Sequence, residues 1–233
     1  MGAHGLYFQT FTEINENTKD GVSVATQAAN FVNLARKLAT QRFGNIRLQF
    51  GLHATSVCHN LDELRCIDNG VEIVWEDCGA FPFAYVAHDA DNFEESCELV
   101  RNAANLRGSD DNFSVVLKGL CCLDWTMFEH QKGSFVLGEH TARDVSARYK
   151  NRKKLWRYQN AYWVKNADKA SIMMKTIRDE KDGKTMVTAL IEEGMFEEKI
   201  NFGAAVMGLC MWDCDKDIKE IMCDAALMPN VDF

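Results

Sequence analysis

The chain has 233 residues, 47% of them hydrophobic, with a formal net charge of −8. The apolar content excludes global disorder, and the acidic balance excludes a nucleic-acid backbone as main partner, since phosphates bind basic faces. No run of eighteen apolar residues occurs, so no membrane span is expected. Only two Pro residues are present and no Pro/Gly/Ser-rich linker divides the chain, which predicts a single domain over residues 1–233.

Leu6–Thr12 alternates and is rich in aromatic residues and Thr, as a strand requires. Val22–Phe43 places Val24, Ala28, Phe31, Val32, Ala35 and Leu38 on one helical face, closed by Gly44. Ile46–Phe50 predicts the second strand, Asn60–Ile67 a short helix, and Val71–Trp75 the third strand. Asn92–Leu106 predicts a helix with Glu94 and Glu95 in its first turn. Val115–Leu120 predicts the fourth strand, followed by a loop and a long helical block, His140–Arg178. Thr185–Ile200 reads as helical, Ala204–Leu209 as a small, apolar, buried fifth strand, and Ile218–Met222 as a closing helix.

The N-terminus carries no basic region followed by an apolar segment, so no signal peptide is expected and a cytoplasmic location follows. The nine Cys residues are odd in number and lie mostly inside strand or helix patterns, as reduced, buried, small hydrophobes do. Cys210 and Cys214 form a C-x-x-x-C without structural-zinc spacing. The basic run Lys150–Lys154 reads as a solvated helix face.

Strands alternating with helices predict a parallel sheet with right-handed crossovers. About five strands do not close an eight-stranded barrel. The expectation is an α/β fold of parallel β/α units forming part of a (β/α)8 barrel, with a helical insertion before the last strand. The alternative is a complete open sheet, but Thr12–Glu16 is nothing like the Gly-rich phosphate loop of a nucleotide-binding sheet.

Each apolar run stops at polar or aromatic residues. Glu13 follows the first strand, Trp75-Glu76-Asp77 closes the third, Asp124-Trp125 the fourth and Trp212-Asp213 the fifth. A barrel presents its chemistry at the carboxyl ends of its strands. A Trp beside a carboxylate suits a sugar, since the indole stacks on a pyranose face while the carboxylate binds hydroxyls or reacts. Glycoside hydrolysis needs two carboxyl groups flanking the scissile bond. Glu13 is the first candidate for general acid/base, Glu76 its partner and Asp124 the next. Candidate substrate contacts are Trp75, Asp77, Trp125, Trp212 and Asp213, with His53, Glu129 and His130 as hydrogen-bonding or orienting groups. Lys118 lies inside an apolar run, where it needs a reason; pairing with Glu76 or Glu13 would tune a carboxylate. No cofactor and no metal are expected on this reading.

The segments GLYFQTFTE, FGLHATSV, VWEDCGAFPF, VLKGLCCLDWTMFEHQKGSFVLGE and MGLCMWD resemble the carboxyl-terminal half of glycoside-hydrolase-type (β/α)8 barrels of carbohydrate-degrading bacteria. The likeness spans most of Gly5–Asp213. Broad relatives include hexosaminidase-like and α-glucuronidase-like barrels. The resemblance implies a carbohydrate substrate and a Glu acid/base after the fourth barrel strand, a place that Glu13 takes if the chain starts at that strand. It also implies a Glu nucleophile after the seventh, where this chain has Asp124, with Glu129 further on. That departure fits an inverting scheme or substrate assistance.

Two other readings remain from the residues. One is a metal-dependent barrel enzyme, isomerase-like, with His53, Glu76, Asp124 and His130 as ligands. The other is a non-catalytic fragment that needs a missing N-terminal barrel segment, or a homo-oligomer, to cover its sheet edges.

Overall fold

The computed structural model describes residues 4–9, 16–53, 60–76, 93–120, 142–181, 185–191 and 199–232. In chain order the elements are β1 (Gly5–Gln9), β2 (Thr18–Lys19), β3 (Val22–Ser23), α1 (Val24–Phe43), β4 (Arg47–His53), a 3-10 turn (Leu61–Cys66), β5 (Val71–Glu76) and α2 (Phe93–Ala104). They continue with β6 (Phe113–Leu120), α3 (Ala142–Glu180), β7 (Met186–Ile191), β8 (Ile200–Asn201), α4 (Phe202–Trp212), α5 (Ile218–Leu227) and β9 (Val231–Asp232).

Five strands form one sheet in the order β1-β4-β5-β6-β7, every pair parallel. Each strand lies beside the one before it in the sheet, with no reversal of direction. A doubly wound sheet reverses at a switch point; this one advances as an arc of a β/α barrel does. The sheet is therefore part of a parallel β/α fold, with the long helix α3 inserted before its last strand.

Right-handed crossovers that all advance the same way put their helices on one face, and the core confirms it. Leu48, Phe50 and Leu52 of β4, Val71, Ile73 and Trp75 of β5, and Phe113, Val115 and Leu117 of β6 share one buried cluster with residues from all five helices. These are alternate residues, so they lie on one face of the pleat. Phe8 extends that face to β1, meeting Phe31 of α1 edge-on and Phe50 of β4 at 5.8 Å. Each fully buried side chain of this size contributes about 1.5–3 kcal/mol relative to exposure.

Local signals set the ends of α1. The Ser23 side chain accepts from the Thr26 N–H, and Gly44 (φ 71°) takes the left-handed turn that stops the helix, its N–H donating to Thr40 O at 2.9 Å. The helix α3 is broken at Asn166, whose φ and ψ are −126° and 20°.

Two expected elements exchange places. Thr185–Ile200 reads as helix, yet Met186–Ile191 is the fifth strand of the sheet. Ala204–Leu209 reads as strand, yet it lies within the helix Phe202–Trp212. An uninterrupted apolar run has no period, so it fits a buried strand or a buried helix alike. Composition and length settle it. The run Phe202–Trp212 is 11 residues long, rich in Ala, Met and Leu, and the Asn201 side chain caps it by accepting from the Gly203 N–H at 2.8 Å. Met186–Ile191 carries Val, Thr and Ile, which favour the pleat.

Among the described residues, Cys66, Cys97, Cys210, Cys214 and Cys223 are free thiols. Burial, and secondarily Cys214, pushes the Cys210 thiol up to about 12, which leaves it unreactive at neutral pH. Also among the described residues, no helix is long and apolar enough to cross a membrane.

Candidate functional site

The face of the sheet turned away from the helices is polar. Alternation assigns it Tyr7 and Gln9 of β1, Arg47, Gln49, Gly51 and His53 of β4, Glu72, Val74 and Glu76 of β5, and Ser114 and Val116 of β6. Two clusters divide it.

The first lies at the amino end of the strands. Glu72 accepts from Arg47 Nε at 2.8 Å and Nη2 at 2.6 Å on one oxygen, and from the Ser114 hydroxyl on the other. Arg47 thus neutralises the buried Glu72. A cleft of about 580 Å³ opens beside this cluster, lined by His4, Arg36, Asn45, Arg47, Glu72 and Met186 among others.

The second lies at the carboxyl end, around Glu76. This carboxylate is only 5% exposed and is the last residue of β5. Tyr7 Oη and Gln9 Nε2 both donate to its Oε1, and Gln9 Nε2 donates to Tyr7 Oη at 3.0 Å. His53 is its register partner on β4 and shares its face. Burial first, then the hydrogen bond to Glu76 and its charge, raise the Tyr7 phenol above its ordinary value. Tyr7 therefore remains a protonated donor throughout the neutral range.

β1 and β5 are separated by β4, so Tyr7 and Gln9 must cross that strand to reach Glu76. Gly51 makes the crossing possible. A Cβ there would stand 2.3 Å from Tyr7 Oη and 2.6 Å from Gln9 Cγ. Both obstructed atoms lie along flexible side chains, so Gly51→Ala is expected to fold while turning both donors off Glu76. Tyr7 should then ionise nearer its ordinary pKa of about 10. The check is alkaline titration of tyrosinate absorbance, with Tyr7→Phe subtracted to isolate this ring. A folded-state value raised above the unfolded one stabilises the wild type fully below about pH 10, and that contribution fades as pH climbs through the folded value. An unaltered Tyr7 titration in Gly51→Ala would contradict the crossing geometry.

Glu72 and Glu76 point the same way but are four residues apart, a span of about 13 Å along a strand. That exceeds the separation of roughly 5–9.5 Å that glycoside hydrolysis uses, and Arg47 already occupies Glu72. Glu72 and Glu76 therefore do not form the carboxyl pair that such a reaction uses. Glu76 is level with Val116, and β6 runs on to Leu120, about 13 Å further along; β1 ends at Gln9, level with Val74 and two strand spacings, about 9.6 Å, across the sheet from it.

No protein-family model, curated protein or solved structure matches this chain.

The expected site residues fall into three groups. Glu76 and His53 come together as neighbours on the polar face. Glu13, Asp77, Asp124, Trp125, Glu129 and His130 lie outside the described residues, as does the side chain of Lys118. Three residues are placed away from the polar face. Trp75 is 1% exposed and belongs to the helical-face core; it precedes Glu76 by one residue, so the pleat sends the two side chains to opposite faces. Trp212 and Asp213 are the last residue and the C-cap of α4, not the end of a strand. The stacking pairs expected from Trp75-Glu76 and Trp212-Asp213 are thus corrected.

Tyr7, Gln9 and Gly51 carry no motif and escape a reading by strand ends. Two signals were available. Tyr7 and Gln9 share a parity within an alternating run, and an isolated Gly inside a strand marks a close approach.

Proposed function

We propose that this chain is the catalytic part of a glycoside hydrolase, cleaving glycosidic bonds by carboxylate acid/base chemistry. The observation that supports this most is Glu76: a nearly buried, doubly hydrogen-bonded carboxylate at the carboxyl end of a central parallel strand. Barrel enzymes place reacting groups at that end. In this reading Glu76 is the ionised carboxylate, oriented by Tyr7 and Gln9, and His53 hydrogen-bonds a substrate hydroxyl. Glu13 supplies the acid, with Asp124 as the alternative. Trp125 in this scheme stacks on the sugar, while Asp77, Glu129 and His130 line its hydroxyls. The activity belongs in a reducing compartment, the cytoplasm, where free thiols persist.

A panel of nitrophenyl glycosides of both anomeric configurations, assayed with and without EDTA, tests the reading. Release of nitrophenol that survives chelation is expected. Turnover abolished by EDTA and restored by a divalent cation would favour metal-dependent chemistry at His53 and Glu76 instead. No turnover and no sugar binding across the panel would remove the proposal.

A further inference from the structure

The amino end of the sheet carries a cleft that the Glu76 site does not use. Its volume is about 580 Å³, and Arg36, Asn45, Arg47, Asn112 and the exposed His4 stand on its walls. Leu48 and Phe113, both buried, line it too. A concave space of this size, with apolar side chains and a few placed polar groups, has the make-up of a small-molecule site. Both guanidinium groups are held in position. Arg47 gives Nε and Nη2 to one oxygen of Glu72 at 2.8 Å and 2.6 Å. Arg36 gives Nε to Asp68 at 2.6 Å and Nη1 to the Gly70 carbonyl at 2.9 Å. A guanidinium has five N–H donors in a planar fork, so each keeps donors beyond these bonds. The Arg47 and Arg36 side chains are 57% and 29% exposed, which leaves those donors open to a ligand. Gly70 permits the Arg36 pose: a Cβ there would stand 1.9 Å from Arg36 Nη2 and 2.0 Å from its Cζ.

We infer that this cleft binds the phosphate group of a small phosphorylated molecule. Glu72 is the carboxylate of the lining among the described residues, and its oxygens already accept from Arg47 and from the Ser114 hydroxyl. The cleft therefore offers donors in excess of acceptors. A sugar hydroxyl donates as well as accepts. A phosphate monoester is chiefly an acceptor, with three terminal oxygens and a charge of about −1.5 to −2 at neutral pH. Two planar forks, with the Asn45 and Asn112 amides beside them, match that oxygen count. A carboxylate has two oxygens to share between the same two forks. Asp68 and Glu72 offset the formal charge of the two arginines, so selection rests on oriented donors and not on a basic patch. That agrees with a chain of net charge −8.

Glu72 lies about 13 Å along β5 from Glu76, so this inference stands apart from the hydrolase reading. The test is amide NMR of the full chain titrated with phenyl phosphate, with benzoate and sodium chloride in parallel at matched ionic strength. Phenyl phosphate should shift the amides of Asn45, Arg47, Gly70 and Asn112 along saturable curves. Arg36→Gln should weaken binding by about 10-fold or more, the share of one charge-assisted contact. Gly70→Ala pushes the Arg36 guanidinium aside without removing it and should also weaken binding; it decides alone if circular dichroism shows Arg36→Gln unfolded. Glu76→Gln, and Arg42→Gln at an exposed cation near the end of α1, should bind as the wild type does. Four results would each overturn the inference: no saturable shift at these amides, equal shifts with chloride, benzoate binding as tightly as phenyl phosphate, or full affinity in folded Gly70→Ala.

Discussion

Glu76→Gln is expected to lower kcat for glycoside hydrolysis by a factor of about 10²–10⁴, the contribution of a positioned acid or base. The substitution is nearly isosteric. The new amide oxygen accepts the same hydrogen bonds from Tyr7 Oη and Gln9 Nε2 that Glu76 Oε1 accepts now, so the variant should fold as the wild type does. What it lacks is the ability to take a proton or attack as an anion. KM should change far less than kcat, since an interaction used only in the transition state is being removed. Tyr7→Phe makes a graded companion: it leaves the carboxylate and removes one orienting donor, and a smaller loss is expected. If Glu76→Gln retains full activity while unfolding at the wild-type denaturant concentration, Glu76 has no part in the reaction.

The second large effect concerns stability. Arg107→Ala is expected to destabilise the protein by about 3–5 kcal/mol, the cost of leaving one member of a buried ion pair without its partner. The Arg107 and Asp111 side chains are 2% and 8% exposed and meet at 2.6 Å. The same guanidinium donates to the carbonyls of Ile67 at 3.1 Å, Asp68 at 2.8 Å and Val71 at 2.6 Å. One side chain thus ties the turn after α2 to the segment that feeds β5, the strand carrying Glu72 and Glu76. Its loss strands a buried carboxylate and takes the guanidinium donors from three carbonyls at once. A loss of this size is a large share of the roughly 5–15 kcal/mol that holds a domain together. Arg107→Lys keeps the charge but not the planar fork and should fall between the two. Urea unfolding midpoints decide the matter: a shift equivalent to less than about 1 kcal/mol in Arg107→Ala would show that water or another donor replaces the network.

Periodicity carried most of the fold. The alternation of Arg47–His53 and Val71–Glu76 and the helix after Ser23 are properties of the local sequence and survive in the structure, although the buried face of that helix is Val24, Ala25, Ala28, Ala29, Val32 and Ala39, with Phe31 and Leu38 exposed. The exchange of strand and helix after residue 185 arose where periodicity vanishes, in the unbroken apolar run Phe202–Trp212. There the Asn201 cap and the shortage of β-branched residues were the better guides. Glu76 was legible because a carboxylate ends an alternating run. Trp75 and Glu76 are neighbours in sequence but not in space, since the pleat that turns Glu76 to the polar face turns Trp75 to the core. The crossing of Tyr7 and Gln9 over Gly51 depends on which strand lies between β1 and β5, a fact of tertiary pairing that no local pattern contains.

The central claim is that the polar face, at the carboxyl end around Glu76, is where a sugar sits. A crystal structure of Glu76→Gln soaked with an oligosaccharide that the wild type hydrolyses tests it most directly. The account predicts a pyranose ring within hydrogen-bond reach of residue 76 and His53, with the scissile oxygen over the carboxyl end of β5. A sugar seated in the amino-end cleft beside Arg47 and Glu72, or against the helical layer near Trp212, would contradict it.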